Sequence, residues 1–483
     1  MIANAEIDLA LHDKQGEALL SLATEILYGG AAGGGKSHLM RVAAILWCMM
    51  IPGLQVYLFR RTYPDLEKNH LTGPSGLPAM LAAWLIRRIV KYNSQKGQFV
   101  FSNGSCIHMC HCQYEKDLVN YQGAEIHVLL IDEITHWTQS MYKYLRGRVR
   151  LGGLQVPSAM KGLFPRILVS GNPGGIGHNW VKMDFVDAPG GPMSIRRMPK
   201  VEGGMLRQYI PARLTDNPTM EENDPEYRDR LSGLGSPALV RAWLEGDWNI
   251  VAGGMFDDVW NDEIHYIEPF EIPFSWRIDR AFDWGSSKPF SVGWWAESDG
   301  SEVRLATGGS RTFPRGSLFR IGEWYGWTGR PNEGLKMSDS EIALGIVRRQ
   351  NEMGIHVRVK PGPADSSIFD EVNGDSPARV QSRHGVRWAK ADKAPGTRIR
   401  RWQLMRNRFI NAAKRNGEPG MWIFNTCDQF KRTVPVLPRD QKKLDDIDTD
   451  AEDHVGDESG YRVLDGVGAR GAMSINAGHA TNA

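Results

Sequence analysis

Cysteine is scarce in this chain, with five among 483 residues. So few thiols over such a length build no disulfide framework, which points to a reducing compartment. Long apolar runs are lacking as well. The longest, Val42 to Ile51, is too short to span a bilayer and reads as a core helix, so no membrane partner is expected. The first residues carry no basic-then-apolar signal pattern. Net charge is nearly absent, at +2, so any surface for a polyanion must be a local patch. The composition that remains is that of an ordinary soluble protein, long enough for two or three separate cores.

Glycine, by contrast, is concentrated where it matters. Tyr28-Gly29-Gly30-Ala31-Ala32-Gly33-Gly34-Gly35-Lys36-Ser37 fits the pattern G-x-x-x-x-G-K-[ST] from Gly30 to Ser37. A triphosphate needs backbone N–H groups turned inward around it. Gly30, Gly33, Gly34 and Gly35 permit that approach because they carry no Cβ. Lys36 supplies a point charge to the β- and γ-phosphates, and Ser37 a hydroxyl to Mg²⁺. The setting agrees: Thr24 to Tyr28 reads as a buried strand and Ser37 to Met50 as a helix whose positive end faces the anion. Before the loop, Gln15 has an amide that can both donate to and accept from the edge of adenine.

Val56-Tyr57-Leu58-Phe59 reads as the next buried strand, with Arg60 and Arg61 at its C-terminal end. Ligands of open α/β sheets bind beyond that end, so either arginine is placed to reach a γ-phosphate. Val128-Leu129-Leu130-Ile131 reads as a central strand delivering two carboxylates. Asp132 then supports the Mg²⁺ shell and Glu133 polarises a water for attack. Arg166 to Ser170 is a further strand, and Asn172 beyond its tip is placed to sense the γ-phosphate. Tyr142 to Arg150 mixes aromatic and basic residues and suits a nucleotide or nucleic acid, or equally a solvated helix end. Cys106, His108, Cys110 and Cys112 recur every second residue. On a strand that places them in a row rather than around one ion, so no zinc site is expected there.

Together these motifs resemble the large terminase subunit of tailed bacteriophages, the motor that packages DNA into proheads. The resemblance rests on Gly30–Ser37, Arg60-Arg61-Thr62-Tyr63-Pro64, the Asp132-Glu133 strand and Ser170-Gly171-Asn172-Pro173, in that order. It extends to Arg207-Gln208-Tyr209-Ile210-Pro211-Ala212, Asp216-Asn217-Pro218 and Gly246-Asp247-Trp248, which resemble the lid region. It implies that Gln15 reads adenine, that Glu133 is the catalytic carboxylate, and that Arg60 or Arg61 is the arginine finger.

After a break near Val251-Ala252-Gly253-Gly254, strands resume at Arg277 to Phe282, Phe290 to Ala296 and Leu318 to Trp324. A helix from Asp339 to Met353 and a fourth strand, Val357 to Lys360, complete a pattern that suits a ribonuclease-H-like fold. Asp283 ends the first strand and Asp365 follows the fourth. Asp453 and Asp457 lie four apart on one face of a helix running to Leu464. Carboxylates from such distant segments are what two-metal phosphodiester hydrolysis requires, and Mg²⁺ or Mn²⁺, as two ions, suits oxygen donors. Most acids between Asp445 and Glu458 read as solvated surface. The resemblance to a terminase nuclease domain favours Asp453 as third ligand with Asp457 assisting, and leaves the choice between them open. Between these acids, Lys390 to Arg415 holds nine Lys or Arg residues and one acid, Asp392, which suits a DNA backbone, or one charged face of a helix Thr397 to Lys414.

The expected fold class is therefore α/β. A P-loop NTPase domain with a mostly parallel sheet spans 1–250, with its lid at about 205–250. A linker follows at 251–274, then a ribonuclease-H-like nuclease domain at 275–466 and a flexible tail at 467–483. The resemblance implies ATP as nucleotide, double-stranded DNA as substrate, and the portal protein and a small terminase subunit as partners. It also implies a pentameric ring on the portal, a monomer in solution, and action in the host cytoplasm. The rival expectation is a helicase-like ATPase that remodels nucleic acid without cutting it.

Overall fold

The computed structural model describes residues 7–232, 244–249, 254–306, 308–440 and 443–476. The chain divides into two compact units, Met1–Ala252 and Gly253–Ala483.

In the first unit, nine strands form one sheet. They are β1 (Glu25–Gly30), β2 (Gln55–Arg60), β3 (Val90–Asn93), β4 (Gln98–Phe101), β5 (Cys106–His111), β6 (Val128–Ile131), β7 (Arg166–Gly171), β8 (Arg196–Arg197) and β9 (Leu206–Ala212). Their order is β3-β4-β5-β2-β6-β7-β1-β9-β8. From β5 to β9 every pairing is parallel; antiparallel strands occur only at the two edges.

β1, β6 and β7 are buried along their whole length, as continuous apolar runs with both faces covered must be. Their side chains divide by strand alternation. The helices α1 (Asp13–Leu20) and α2 (Lys36–Met50) flank β1 in the chain, and Ile26, Val128 and Leu130 face α2 through its Leu39, Met40, Ala43 and Trp47. Leu27, Leu129 and Ile131 face Ile134, Trp137 and the helix α3 (Gln139–Arg146) through Met141, Tyr142 and Leu145. Because these strands are parallel, their C-terminal ends open on one edge, where the Gly30–Ser37 loop, Arg60, Asp132 and Ser170 all fall.

Two sequence expectations change here. Arg207 to Ala212, which resembles a lid, lies in β9, a strand of the main sheet in register with β1. Tyr142 and Arg146, from the stretch read as a nucleotide or nucleic-acid contact or a solvated helix end, turn inward: the Tyr142 hydroxyl and Arg146 Nε (2.7 Å) both donate to Glu25, joined by Arg207 Nε at 3.0 Å. Glu25 starts β1, at the opposite end from the glycine loop, so this ion cluster braces the sheet.

Among its described residues the second unit has ten strands. They are β10 (Tyr266–Ile267), β11 (Arg277–Asp283), β12 (Ser291–Glu297), β13 (Glu302–Arg304), β14 (Ser310–Thr312), β15 (Leu318–Tyr325), β16 (Val359–Lys360), β17 (Pro363–Ala364), β18 (Ala389–Lys390) and β19 (Met421–Phe424). Eight form a sheet in the order β10-β19-β15-β12-β11-β17-β18, with β16 also on β11; β13 and β14 pair as a hairpin. β12 is antiparallel to β11 and β15, while β17 and β18 run parallel to β11. Three antiparallel strands extended on the side of the first by parallel ones is the ribonuclease-H-like arrangement. Three longer helices accompany the sheet: α4 (Asp339–Glu352), α5 (Thr397–Lys414) and α6 (His454–Asn476). α6 packs on β11, β12 and α5.

Residues 254–274, read as part of a linker, lie inside this unit. Met255 and Phe256 are buried in its core, and Tyr266–Ile267 pairs with β19. α6 continues to Asn476, beyond the Leu464 where the sequence reading ended it; the rest of the expected tail, 477–483, lies outside the described residues.

Candidate active sites

The glycine loop has the backbone its composition demands. Gly30, Gly33 and Gly35 adopt φ of 130°, 74° and 69°. A Cβ on Gly35 would stand 2.3 Å from Gln15 Nε2, and one on Gly33 2.6 Å from Leu214 Cδ1. Gly35 caps α2 without a side chain, so no cap competes for the first N–H groups of that helix. Lys36 is buried at its start and donates to Ala31 O. Burial lowers its pKa, opposed by the charges of Glu133 and Asp132. These features fit a nucleotide phosphate: anion-seeking N–H groups, a cation kept from water, and room that only glycine leaves.

Asp132 is the hub of this edge. Ser37 Oγ donates to its Oδ2 at 2.9 Å and Ser170 Oγ to its Oδ1 at 2.5 Å. The strand order explains the meeting: β7, which carries Ser170, lies between β6 and β1. Arg60 Nε stands 3.1 Å from Oδ2 as an ion pair. His70 Nε2 lies 2.9 Å from the same oxygen. Burial alone would raise the Asp132 pKa. The His70 hydrogen bond, the Arg60 charge and Ser170 outweigh it, so the carboxyl stays ionised far below the usual range. The convergence of Ser37 and Asp132 suits a Mg²⁺ ion held at a phosphate. Glu133 follows with φ 57° and ψ 61°, an uncommon conformation for a side chain other than glycine. It turns the chain sharply at the strand tip.

The other candidates are placed as follows. Gln15 is buried against the loop, its Nε2 donating to Gly35 O at 2.9 Å and its Oε1 accepting from His12 N at 2.9 Å. Arg61 turns away from Asp132, with Nη1 3.2 Å from His136 O. Asn172 Oδ1 is buried without a partner among the described residues, a lone acceptor beside the phosphate edge. Beyond Gly33, a cavity of about 170 Å³ is lined by Leu214, Met220, Asp224, Pro225, Tyr227 and Arg228. His70, and the roles of Ser170 as a partner of Asp132 and of Asn217, whose Nδ2 donates to Gly33 O at 2.6 Å, were not read from sequence, where Asn217 stood only in the lid-like motif Asp216-Asn217-Pro218. Nothing in their spacing marks them; only the fold brings them in.

In the second unit, Asp283 and Asp365 end the adjacent strands β11 and β17. Asp283 is buried and accepts from Tyr461 OH at 3.3 Å, with His454 Nδ1 3.1 Å away. Burial raises its pKa; His454 opposes this, and the charges of Asp457 and Asp365 add to it. Asp453 precedes α6 and is pushed up to about 7 by burial and by Asp457, against His454 and Arg398. These acids therefore sense one another. Each also has a basic partner: Lys393 donates to Asp365 at 2.7 Å, Arg398 to Asp453 at 3.2 Å, and Arg401 to Asp457 at 3.3 Å. Among the described residues no three His, Cys, Asp or Glu side chains converge where they would hold an ion. The donor chemistry suits Mg²⁺ or Mn²⁺; to hold one, Asp365, Asp453 and Asp457 would turn from these basic partners. The acids around them are less solvated than their sequence suggested: Glu452 is buried against Arg432 (2.7 Å) and Tyr325 (2.8 Å), and Glu458 against Arg320 and Trp295.

A phosphate-loop NTPase domain followed by a ribonuclease-H-like domain is the class these two units define. Residues 27–261, just under half of the chain, match the family described as terminase large subunit, T4-like-virus type, N-terminal. No curated protein matches. Among solved structures, the large terminase of the thermophilic bacteriophage D6E is 15% identical, covering 94% of this chain and 98% of that one, with a TM-score of 0.39. The bacteriophage HK97 large terminase is 10% identical over 95% of each chain, with a TM-score of 0.43. The P22 large terminase nuclease domain is 15% identical, covering 44% of this chain and 90% of that one, with a TM-score of 0.31.

Proposed function

We propose that this chain hydrolyses ATP to drive double-stranded viral DNA into a prohead and cuts that DNA. The observation that carries the motor half is the contact of Ser37 with Asp132 at the mouth of a loop only glycine can build. Ser37 and Asp132 would hold Mg²⁺, which neutralises charge developing on the β- and γ-phosphates. Lys36 binds those phosphates, and Glu133 orients the attacking water. Arg60, drawn to Asp132 within its own chain, is the arginine that serves this phosphate site, since Arg61 is turned toward His136. Gln15 props Gly35 rather than reading the base, and the cavity beside Leu214 and Tyr227 accepts adenine.

Work on a prohead implies a pentameric ring on the portal protein, a small terminase subunit as recruiter, and the host cytoplasm as the place of action. For cutting, Asp283, Asp365, Asp453 and Asp457 are the candidate acids, and Lys390 to Arg415 the candidate DNA-backbone segment.

A second reading is favoured by the basic partners held by Asp365, Asp453 and Asp457: a DNA-moving ATPase that does not cut. Two assays separate the possibilities. Phosphate release by the full chain should vanish on Lys36→Ala; turnover that survives the substitution removes the motor. Plasmid nicking with Mn²⁺ should vanish on Asp283→Ala, and absence of nicking by the unaltered protein leaves only the second reading.

A further inference from the structure

The ATPase reading above leaves one buried group unused. His70 sits in a π-helical turn, Glu67–Leu71, a rare conformation often found at functional sites. Its side chain is wholly buried, and its Nε2 lies 2.9 Å from Asp132 Oδ2. Its Nδ1 is buried with no partner among the described residues. The ring therefore has one polar engagement, and a proton on Nε2 is the tautomer that satisfies it. The turn is tied to the phosphate-loop helix, because Arg41 of α2 donates to Asn69 O at 2.8 Å.

We propose that His70 is a positioning residue that fixes Asp132 for the Mg²⁺–nucleotide complex. Asp132 has three hydrogen-bond donors: Ser170 on Oδ1, and Ser37 and His70 on Oδ2. Ser37 is also the hydroxyl a phosphate loop gives to the ion. When it turns to that task, Oδ2 keeps His70 as its hydrogen-bond donor. Arg60 stays close, but its Nε–H makes no hydrogen bond. A histidine set in a packed turn holds the carboxylate at one angle, as outer partners of metal ligands do.

The test measures binding of a fluorescent ATP analogue to the full-length protein, with and without Mg²⁺, beside steady-state turnover. His70→Phe keeps a ring and removes the donor. His70→Gln keeps an N–H donor near the Nε2 position, and His70→Asn is too short to reach. His70→Phe should cut the gain in affinity that Mg²⁺ confers by about tenfold or more, leave Mg²⁺-free binding unchanged, and raise the Mg²⁺ needed for half-maximal turnover in step. His70→Gln should stay within about threefold of the unaltered protein. Should His70→Phe not fold, the contrast of His70→Asn with His70→Gln carries the same comparison. Equal Mg²⁺ dependence in His70→Phe and the unaltered protein overturns the assignment, as does equal damage in the Gln variant. The proposal rests on the ATPase reading, and the outcomes stay separable: an unaltered protein without turnover rejects that reading, whereas normal turnover with an indifferent His70 rejects this one alone.

Discussion

Asp283 and Asp365 stand at the ends of neighbouring parallel strands, because Phe282 pairs with Ala364 and the Asp365 N–H donates to Phe282 O at 2.9 Å. Backbone register, not side-chain attraction, holds these two like charges together. Burial, reinforced by the charges of Asp457 and Asp365, makes ionisation of Asp283 costly. Asp365 is set apart: burial would raise its pKa, but Lys393 and the hydrogen bonds from Ser367 together outweigh it and lower the pKa of that carboxyl.

This arrangement should let pumping and cutting be separated. Asp365→Ala is expected to reduce Mn²⁺-dependent plasmid nicking to background while phosphate release and the filling of proheads with precut DNA continue. Glu133→Ala should do the reverse, stopping DNA uptake with nicking retained. Loss of both activities in either variant would contradict a division of labour between the two units.

Much of this was legible because each signal was local. The run Val128–Ile131 followed by two acids gave a strand and its tip, and the structure ends β6 at Ile131. Gly30 to Ser37 gave the loop. Contacts made through strand order were not legible: Ser170 reaches Asp132 because β7 separates β6 from β1, and nothing near Ser170 records that. Leu206–Ala212 was hidden for a different reason. Its motif resembled a lid, and its alternation is broken by Arg207 and Gln208, which are buried through hydrogen bonds to Glu25 and Met193. Glu458 falls in a stretch that reads as solvated acids because a sequence does not show Arg320, against which it is buried.

The brace at Glu25 gives a stability prediction. Its carboxylate is fully buried and holds Arg146, Arg207 and Tyr142. Removing it leaves two guanidinium groups without their counter-charge in a dry setting. Glu25→Ala should lower the unfolding free energy of the first unit by about 3–5 kcal/mol in urea titrations. A loss under about 1 kcal/mol would show that water reaches these arginines.

Acid should destabilise the same unit through buried histidines. Burial, aided by the Lys182 charge, lowers the His178 pKa to about 3, and burial lowers that of His108 to about 4. Above the ordinary 6.5 both are neutral whether folded or unfolded, and neither affects stability. Below it the unfolded chain binds protons the native state refuses, so stability falls as pH falls, by about 1.4 kcal/mol per unit for each histidine. His178→Asn keeps an acceptor for the Gly174 N–H and removes one of these protons. Urea midpoints between pH 6 and 4 should fall less steeply in this variant; an unchanged slope would mean that His178 protonates while folded.

Gly246 lies against the backbone of the phosphate loop. It has φ +68°, and a Cβ there would stand 2.5 Å from Gly30 C and 2.7 Å from Ala31 N. Both are backbone atoms of the loop, so neither can swing aside as a side-chain end would. Gly53 provides the control: its φ is +78°, but its nearest neighbour would be Leu154 Cδ1 at 3.6 Å. Alanine at either position carries the left-handed backbone cost, roughly 1–2 kcal/mol. Only at Gly246 must the loop itself move. Gly246→Ala should therefore weaken nucleotide binding by about tenfold or more, whereas Gly53→Ala should lower stability to a similar degree and leave binding intact. Equal nucleotide affinity in the two variants would mean that the loop tolerates displacement, and that its N–H groups need not be held in place before the phosphate arrives.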